Sequence, residues 1–207
     1  MNRLPVKPLI YCISEGLADE SNFQLIKEGI VNKVRNAARC GVAMFQIREK
    51  KLTSALLFEL ISAAVDAARG TGVKLLVNDR TDLALAAGAD GVHLPSDGIP
   101  VREVRRIVPD LFIVGLSTHS IAETAAAKMD DADFAVFGTV FASPGKGSGV
   151  GLNQLSLVVD EAVSFPVLAL GGIDEVNAHE VLRRGAAGYA SIRYLNECIS
   201  SESQAVR

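Results

Sequence analysis

The sequence predicts a (β/α)₈ barrel, and three observations lead there. Short apolar runs alternate with longer segments of helical periodicity, eight times over. The runs are apolar on both faces, as strands of a parallel sheet covered by helices must be. The 207 residues leave about 26 for each strand–helix unit, compact for this architecture. A doubly wound open sheet is the competing arrangement. The count of eight disfavours it, as does the absence of a Gly-x-Gly-x-x-Gly after the first strand. No linker or composition shift divides the chain. Residues 1–207 are therefore expected to form a single domain, with a core over about 9–195 and a frayed polar tail over 200–207.

The elements follow in order. The first strand is read at Leu9–Ser14. A helix from Asn22 to Cys40 follows, with Leu25, Ile26, Ile30, Val34 and Ala37 on its inner face and Gly41 closing it. Met44–Arg48 is the second strand, and Thr53 is placed to cap the helix after it. Lys74–Asn78 is the third strand, and a short helix then ends at Gly88. Gly91–Leu94 is the fourth, with a helix over Val101–Val108 opened by Pro100. Phe112–Ser117 and Phe134–Val140 are strands five and six, separated by a helix over Ser120–Met129. The Gly/Ser-rich stretch Ser143–Gly149 reads as a mobile loop, and a helix over Asn153–Val163 follows. Phe165–Ile173 is strand seven, ending in the pair Gly171-Gly172. A helix over Val176–Arg184, strand eight at Gly188–Arg193 and a last helix complete the chain.

Composition narrows the function classes. Hydrophobic residues make up 49%, too many for a disordered chain. No apolar run approaches the ~18 residues that span a bilayer, and residues 1–8 lack the apolar core of a signal peptide. A cytoplasmic protein that binds no membrane is expected. The net charge of −3, with no basic block, argues against a nucleic-acid partner. Cys12, Cys40 and Cys198 are far apart and form no CxxC, so reduced, packed thiols are expected. Oligomeric state stays open, a homodimer included.

In this architecture the chemistry sits at the C-terminal ends of the strands. Those ends carry Gln46, Arg48 and Lys50; Asn78 and Asp79; His93, with Asp97 in its loop; Ser117 and His119; Ser143 and Lys146; and finally Gly172 and Arg193. Arg48, Lys50 and Lys146 form a cationic set suited to a diphosphate, since Arg grips two oxygens and Lys acts as a point charge. Asn78 and Asp79 offer hard oxygens that suit Mg²⁺ held jointly with phosphate oxygens. The glycine pair suits a second phosphate, as the loops after strands seven and eight commonly do. Two phosphorylated small-molecule substrates are the expected partners.

Taken singly, these residues have plainer roles. Arg48-Glu49-Lys50-Lys51 reads as a solvated turn, and Asp79 as a helix cap or a partner of Arg80. His93 reads as a packed core histidine, His119 as part of a helix cap and His179 as a surface residue. Gly171-Gly172 alone reads as a tight turn. Their convergence on one end of the barrel favours a site.

The segments 46–50, 77–80, 88–94, 115–120, 137–141, 169–173 and 185–188 resemble, in order, the thiamine phosphate synthase and thiazole tautomerase superfamily. The likeness runs from about Leu9 to Arg193. It implies a barrel that joins a hydroxymethylpyrimidine diphosphate to a thiazole phosphate, or thiazole carboxylate phosphate, and releases diphosphate. It also implies Gln46, Arg48, Lys50, Asn78 and Lys146 on the pyrimidine diphosphate. Ser117 would lie near the pyrimidine and diphosphate, and Asp79 on Mg²⁺. Ser143, Gly172, Ile192 and Arg193 would face the thiazole phosphate. Ser117, Lys146 and His119 are the candidate catalytic residues.

Three positions depart from the synthase pattern. Leu94-Pro95-Ser96-Asp97-Gly98 has Gly98 where a second metal-binding Asp is usual, and Asp97 stands one residue early as the substitute. Ser143-Pro144-Gly145-Lys146 has one hydroxyl fewer than the usual turn. Arg193 replaces a Ser. The resemblance therefore leaves two further readings. One is a thiazole tautomerase that needs no metal and uses His119 as acid and base. The other is a regulatory barrel that binds thiazole phosphate without turnover. Lys50 and Asp79 favour the synthase, because isomerisation needs no diphosphate grip. An unrelated sugar-phosphate isomerase would leave the Gln46–Lys50 and Asn78-Asp79 segments unexplained.

Overall fold

In the computed structural model, residues 3–143, 145 and 147–205 are described. Eight parallel strands close into a barrel in sequence order, β1 to β8. They are β1 (Leu9–Ile13), β2 (Met44–Ile47), β3 (Lys74–Asn78), β4 (Gly91–Leu94), β5 (Ile113–Thr118), β6 (Phe134–Gly138), β7 (Val167–Leu170) and β8 (Gly188–Ser191). Pairing of Leu9–Cys12 with Gly188–Ser191 shuts the ring. A helix follows each strand: α1 (Phe23–Asn36), α2 (Ser54–Ala68), α3 (Thr81–Ala87), α4 (Val101–Arg105), α5 (Ile121–Met129), α6 (Gly151–Ala162), α7 (Ala178–Arg183) and α8 (Arg193–Ala205).

The two-residue period of a strand sorts its side chains into two cores. Leu9, Tyr11, Met44, Leu76, Ile113, Phe134 and Leu168 fill the inside of the barrel. Cys12, Phe45, Leu75, Val77, Val92 and Val114 point outward into the layer under the helices. Space inside is tight. A Cβ on Gly115 would lie 2.3 Å from Cζ of Phe134, so glycine there makes room for the aromatic ring. The same parity decides what reaches the mouth. Gln46 and Arg48 continue the inward series of Met44, Asn78 that of Leu76, and Ser117 that of Ile113 and Gly115.

Several boundaries differ from the sequence expectation. Leu25 is 73% exposed; the buried stripe of α1 runs through Phe23, Ile30 and Val34, and Leu25 lies off it. The last turn of that segment is a separate 3₁₀ helix over Ala37–Cys40, capped by Gly41 at φ 69°. Helix α4 stops at Arg105 rather than Val108, as the residue before Pro109 avoids helical geometry. Helix α8 begins at Arg193, so that residue opens a helix rather than ending β8, and α8 runs on to Ala205 instead of fraying at Ser200. The caps agree with expectation. The Thr53 hydroxyl accepts from the Leu56 amide and the Ser120 hydroxyl from the Glu123 amide. None of the three cysteines forms a disulfide, and burial pushes the Cys12 thiol well above its ordinary range.

Candidate active site

The barrel mouth divides into two halves with a buried polar bridge between them. The first half is built on β2 and β3. Arg48 is half-buried and Lys50 exposed, just beyond the end of β2. The residue between them is not solvated. Glu49 is 3% exposed. Its Oε1 accepts from the Ser14 hydroxyl at 2.6 Å and the Gly16 amide at 3.0 Å, and its Oε2 from the Ala18 amide at 2.8 Å. The Ser14 hydroxyl in turn accepts from the Arg48 amide at 2.8 Å. This carboxylate therefore ties the loop after β1 to the turn that carries Arg48 and Lys50, with its lone pairs met by three donors. The run Arg48-Glu49-Lys50-Lys51 is thus no simple solvated turn.

Asn78 ends β3 and is half-buried. Asp79 follows with φ 61°, and its amide donates to the His93 carbonyl at 2.9 Å. That bond pins the turn to β4 and leaves the Asp79 carboxylate exposed. The plainer roles for Asp79 are not seen. Arg80 forms its ion pair with Asp82 at 2.6 Å and also reaches Ser54, and no side chain caps α3. None of the hydrogen bonds or ion pairs among the described residues involves the Asp79 carboxylate. Asp97 is also exposed, in the turn closed by the Gly98 amide on the Pro95 carbonyl. Among the described residues no three acidic, His or Cys side chains converge as a ready metal cluster.

The second half lies between β7 and β8. A cavity of about 610 Å³ is lined by Ser143, Leu170, Gly171, Gly172, Ile192 and Arg193, with Glu15, Leu17, Asp174, Tyr194 and Glu197 around it. Gly171 and Gly172 have φ of 104° and 61°. A Cβ on Gly172 would lie 2.4 Å from the Ala142 carbonyl oxygen. Both the conformation and the space require glycine here. Among the described residues, no acceptor is paired with the amides of Gly172 and Ile173. Arg193 is the cavity's only cation among those residues. Of its acids, Glu15 is neutralised by Lys33 at 2.6 Å, and Asp174 accepts the Val176 and Asn177 amides. Lys146, expected to complete this region, lies outside the described residues.

Between the halves, Gln46 is buried and its Nε2 donates to the Tyr11 hydroxyl at 2.7 Å. Tyr11, His93 and Phe134 pack ring against ring, with centroids 5.6–5.9 Å apart. His93 Nε2 lies 2.9 Å from the Ser117 hydroxyl. His93 is thus the packed histidine that its strand setting suggests, but one hydrogen-bonded to a candidate catalytic residue. His119 is exposed. Its amide donates to Glu123 and its Nδ1 to the Gly138 carbonyl at 2.7 Å, and Nε2 has no hydrogen-bond partner among the described residues. It serves the α5 cap through its backbone, and its ring remains available. His179 is at the surface.

A second cavity of about 610 Å³ opens at the other end of the barrel, against Leu4, Asp131, Asp133, Phe165 and Pro166. Asp133 there is paired with Arg3 at 3.0 Å and with Arg105 at 2.5 Å. Those contacts brace the barrel floor, at the end that in this fold serves stability.

Comparison with known proteins decides what this arrangement belongs to. The family model described as thiamine monophosphate synthase matches residues 17–195. The thiamine-phosphate synthase of Methanoculleus marisnigri is 42% identical over 164 residues, which cover 76% of each chain. That of Chlorobium luteolum is 37% identical over 178 residues, or 84% of each chain. This chain belongs to the thiamine monophosphate synthase family. The solved thiamine phosphate pyrophosphorylase from Pyrococcus furiosus superposes with a TM-score of 0.77 at 27% identity, over 99% of this chain and 96% of that one. A 3-hexulose-6-phosphate synthase matches with a TM-score of 0.66 at 16% identity, which reflects the shared barrel alone.

In this member of the thiamine monophosphate synthase family, residue chemistry at the barrel centre carries a pH signature. Burial, and secondarily the positive charge of Arg48, lowers the His93 pKa to about 3. An unfolded chain takes up that proton near pH 6.5. The stability contributed by neutral His93 is therefore full above pH 6.5 and is lost as pH falls toward 3. At pH 4 the loss amounts to about 3 kcal/mol. Unfolding free energies from urea titrations at pH 7 and pH 4 are expected to differ more for the unaltered protein than for His93→Gln, by about 3 kcal/mol. Equal differences would show that His93 titrates normally.

Proposed function

We propose that this chain is a thiamine-phosphate synthase that joins a hydroxymethylpyrimidine diphosphate to a thiazole phosphate and releases diphosphate. The observation that carries this reading is the two-sided mouth. Arg48, Lys50 and an uncommitted Asp79 stand on β2 and β3, and a glycine-lined cavity with unpaired amides stands on β7 and β8. A single phosphorylated substrate would need only one of the two.

The residues have separable tasks. Arg48 and Lys50, with Lys146 from the loop after β6, grip the diphosphate, and Asn78 adds a polar contact at its edge. The Gly172 and Ile173 amides, with Ser143, Ile192 and Arg193, hold the thiazole phosphate. In the reaction the carbon–oxygen bond to diphosphate breaks, and its electron pair leaves on oxygen. The thiazole nitrogen supplies the pair for the new carbon–nitrogen bond to the pyrimidine methylene carbocation. Charge builds on the leaving oxygens, so fixed cations are the main source of rate. Ser117 offers a hydroxyl beside the pyrimidine, and the packed Tyr11–His93–Phe134 rings exclude water beneath it.

The donor set fits Mg²⁺. Asp79 has an exposed carboxylate with no protein partner among the described residues, and Asp97 stands in the neighbouring loop. A hard cation that takes most of its ligands from diphosphate and water needs no three-residue cluster. When bound, Mg²⁺ supplies charge neutralisation of the diphosphate.

The exposed ring of His119, with Nδ1 held by Gly138 and Nε2 unpaired among the described residues, is the structural feature that favours thiazole tautomerase chemistry. Incubation with both substrates, with and without Mg²⁺, separates the readings. Thiamine phosphate that forms only with Mg²⁺ is the expected result. Aromatisation of a thiazole carboxylate phosphate without metal, and no coupling, would overturn it in favour of the tautomerase. Binding of thiazole phosphate with neither reaction would point to a regulatory barrel.

A further inference from the structure

Ser117 faces a choice that its neighbour decides. A hydroxyl has one proton. Bonded to an imidazole nitrogen, it either gives that proton to the ring or receives one and keeps its own for another acceptor. The Ser117 hydroxyl lies 2.9 Å from His93 Nε2. The other ring nitrogen, His93 Nδ1, is buried and has no hydrogen-bond partner among the described residues.

The two neutral tautomers are therefore unequal. With the proton on Nδ1, a buried N–H would have no acceptor, the rarest kind of orphan in folded proteins. With the proton on Nε2, that N–H donates to Ser117, and Nδ1 keeps a bare lone pair. The surroundings favour the second form. The ring is wedged against Tyr11 and Phe134, whose faces offer Nδ1 no acceptor oxygen. The Tyr11 hydroxyl is engaged by Gln46. Arg48 is near enough to act on the ring electrostatically, and a cation prefers a lone pair to an N–H.

We infer that His93 is a positioning residue for Ser117: it donates from Nε2 to the serine oxygen and so turns the serine proton toward the barrel mouth. Ser117 then serves as a hydrogen-bond donor with a fixed direction, poised for an acceptor atom on the pyrimidine diphosphate. The donor polarity of the site is set one strand away, by the register that places His93 opposite Gly115 and beneath Ser117. The kinetic part of this inference rests on the synthase reading, whereas the tautomer does not.

The test has two arms. The chain has three histidines, so ¹⁵N-histidine NMR of the full chain resolves each ring, with His93 identified by its absence in His93→Gln. A protonated Nε2 and a bare Nδ1 are expected for His93; the reverse pattern would overturn the inference. In the coupling assay, His93→Leu is expected to lower kcat about 10²-fold, with the KM of the thiazole phosphate unchanged. His93→Gln, whose amide can donate from the Nε2 position, should recover most of that loss. In a Ser117→Ala background His93→Leu should cost less than about twofold, since there is no hydroxyl left to orient. An undiminished cost in that background would mean a general packing role and would sink the inference. Absence of turnover in the unaltered protein would overturn the synthase reading instead, and the NMR arm would then decide for His93 alone.

Discussion

Asp79→Asn is expected to lower thiamine phosphate formation by about 10²–10³-fold at fixed Mg²⁺, the scale on which loss of one group that stabilises developing charge is felt. The substitution is chosen for the backbone. Asp79 has φ 61°, a region that Asn enters readily and Ala does not. The amide that donates to the His93 carbonyl is kept, and no ion pair of the carboxylate is lost, because Arg80 is committed to Asp82. Folding should therefore change by less than about 1 kcal/mol. The loss should shrink as Mg²⁺ is raised, because the remaining ligands still bind weakly. The measurement is the rate as a function of Mg²⁺, with the melting temperature alongside. A variant with the unaltered Mg²⁺ dependence would remove Asp79 from the site.

Gly172→Ala is the second large effect. It attacks the half of the site that both the synthase and the tautomerase readings share. The added methyl group would meet the Ala142 carbonyl oxygen at 2.4 Å and the Phe141 Cβ at 2.8 Å, at φ 61°. Strain and overlap together are expected to cost about 2–3 kcal/mol of stability. They also push the loop after β6 away from the strand-seven turn, because that loop is what the methyl strikes. The KM of the thiazole phosphate should rise about 10²-fold, while that of the pyrimidine diphosphate stays within about threefold. Separate titration of each substrate reads this directly. A parallel rise in both would mean general collapse of the mouth, and no rise in either would mean that the glycine turn holds no phosphate.

Much of the architecture was legible before any coordinates. β3 and β4 start and end where the apolar runs do, since strand length and glycine punctuation are local properties. The barrel architecture put Gln46, Arg48, Asn78, His93 and Ser117 at or just beyond strand ends, but with runs apolar on both faces only the closed barrel shows which side chains point inward. The misjudged residues have a common cause. Leu25 is apolar but sits off the stripe that meets the barrel. Arg193 follows a strand but belongs to the next helix. In each case composition was right and the direction in space was not encoded nearby.

Glu49 is the sharpest instance. Within Arg48-Glu49-Lys50-Lys51 nothing marks it as different from its charged neighbours. Its three donors come from Ser14, Gly16 and Ala18, more than thirty residues earlier, and they meet it only because β1 and β2 pair in register. Long-range partners of this kind leave no periodic trace in a sequence.

The glycine pair after β7 was visible by itself as a turn, and its place in chain order made it a phosphate candidate. By itself the sequence determined the eightfold alternation, because the spacing of apolar runs carries it, and the residue motifs that carry the family resemblance. Only the tertiary structure decided that Glu49 is buried, that Asp79 is left unclaimed by Arg80 and that His93 holds Ser117. Those outcomes depend on which strand ends the closed barrel brings together, and that juxtaposition exists only when all eight strands are in register.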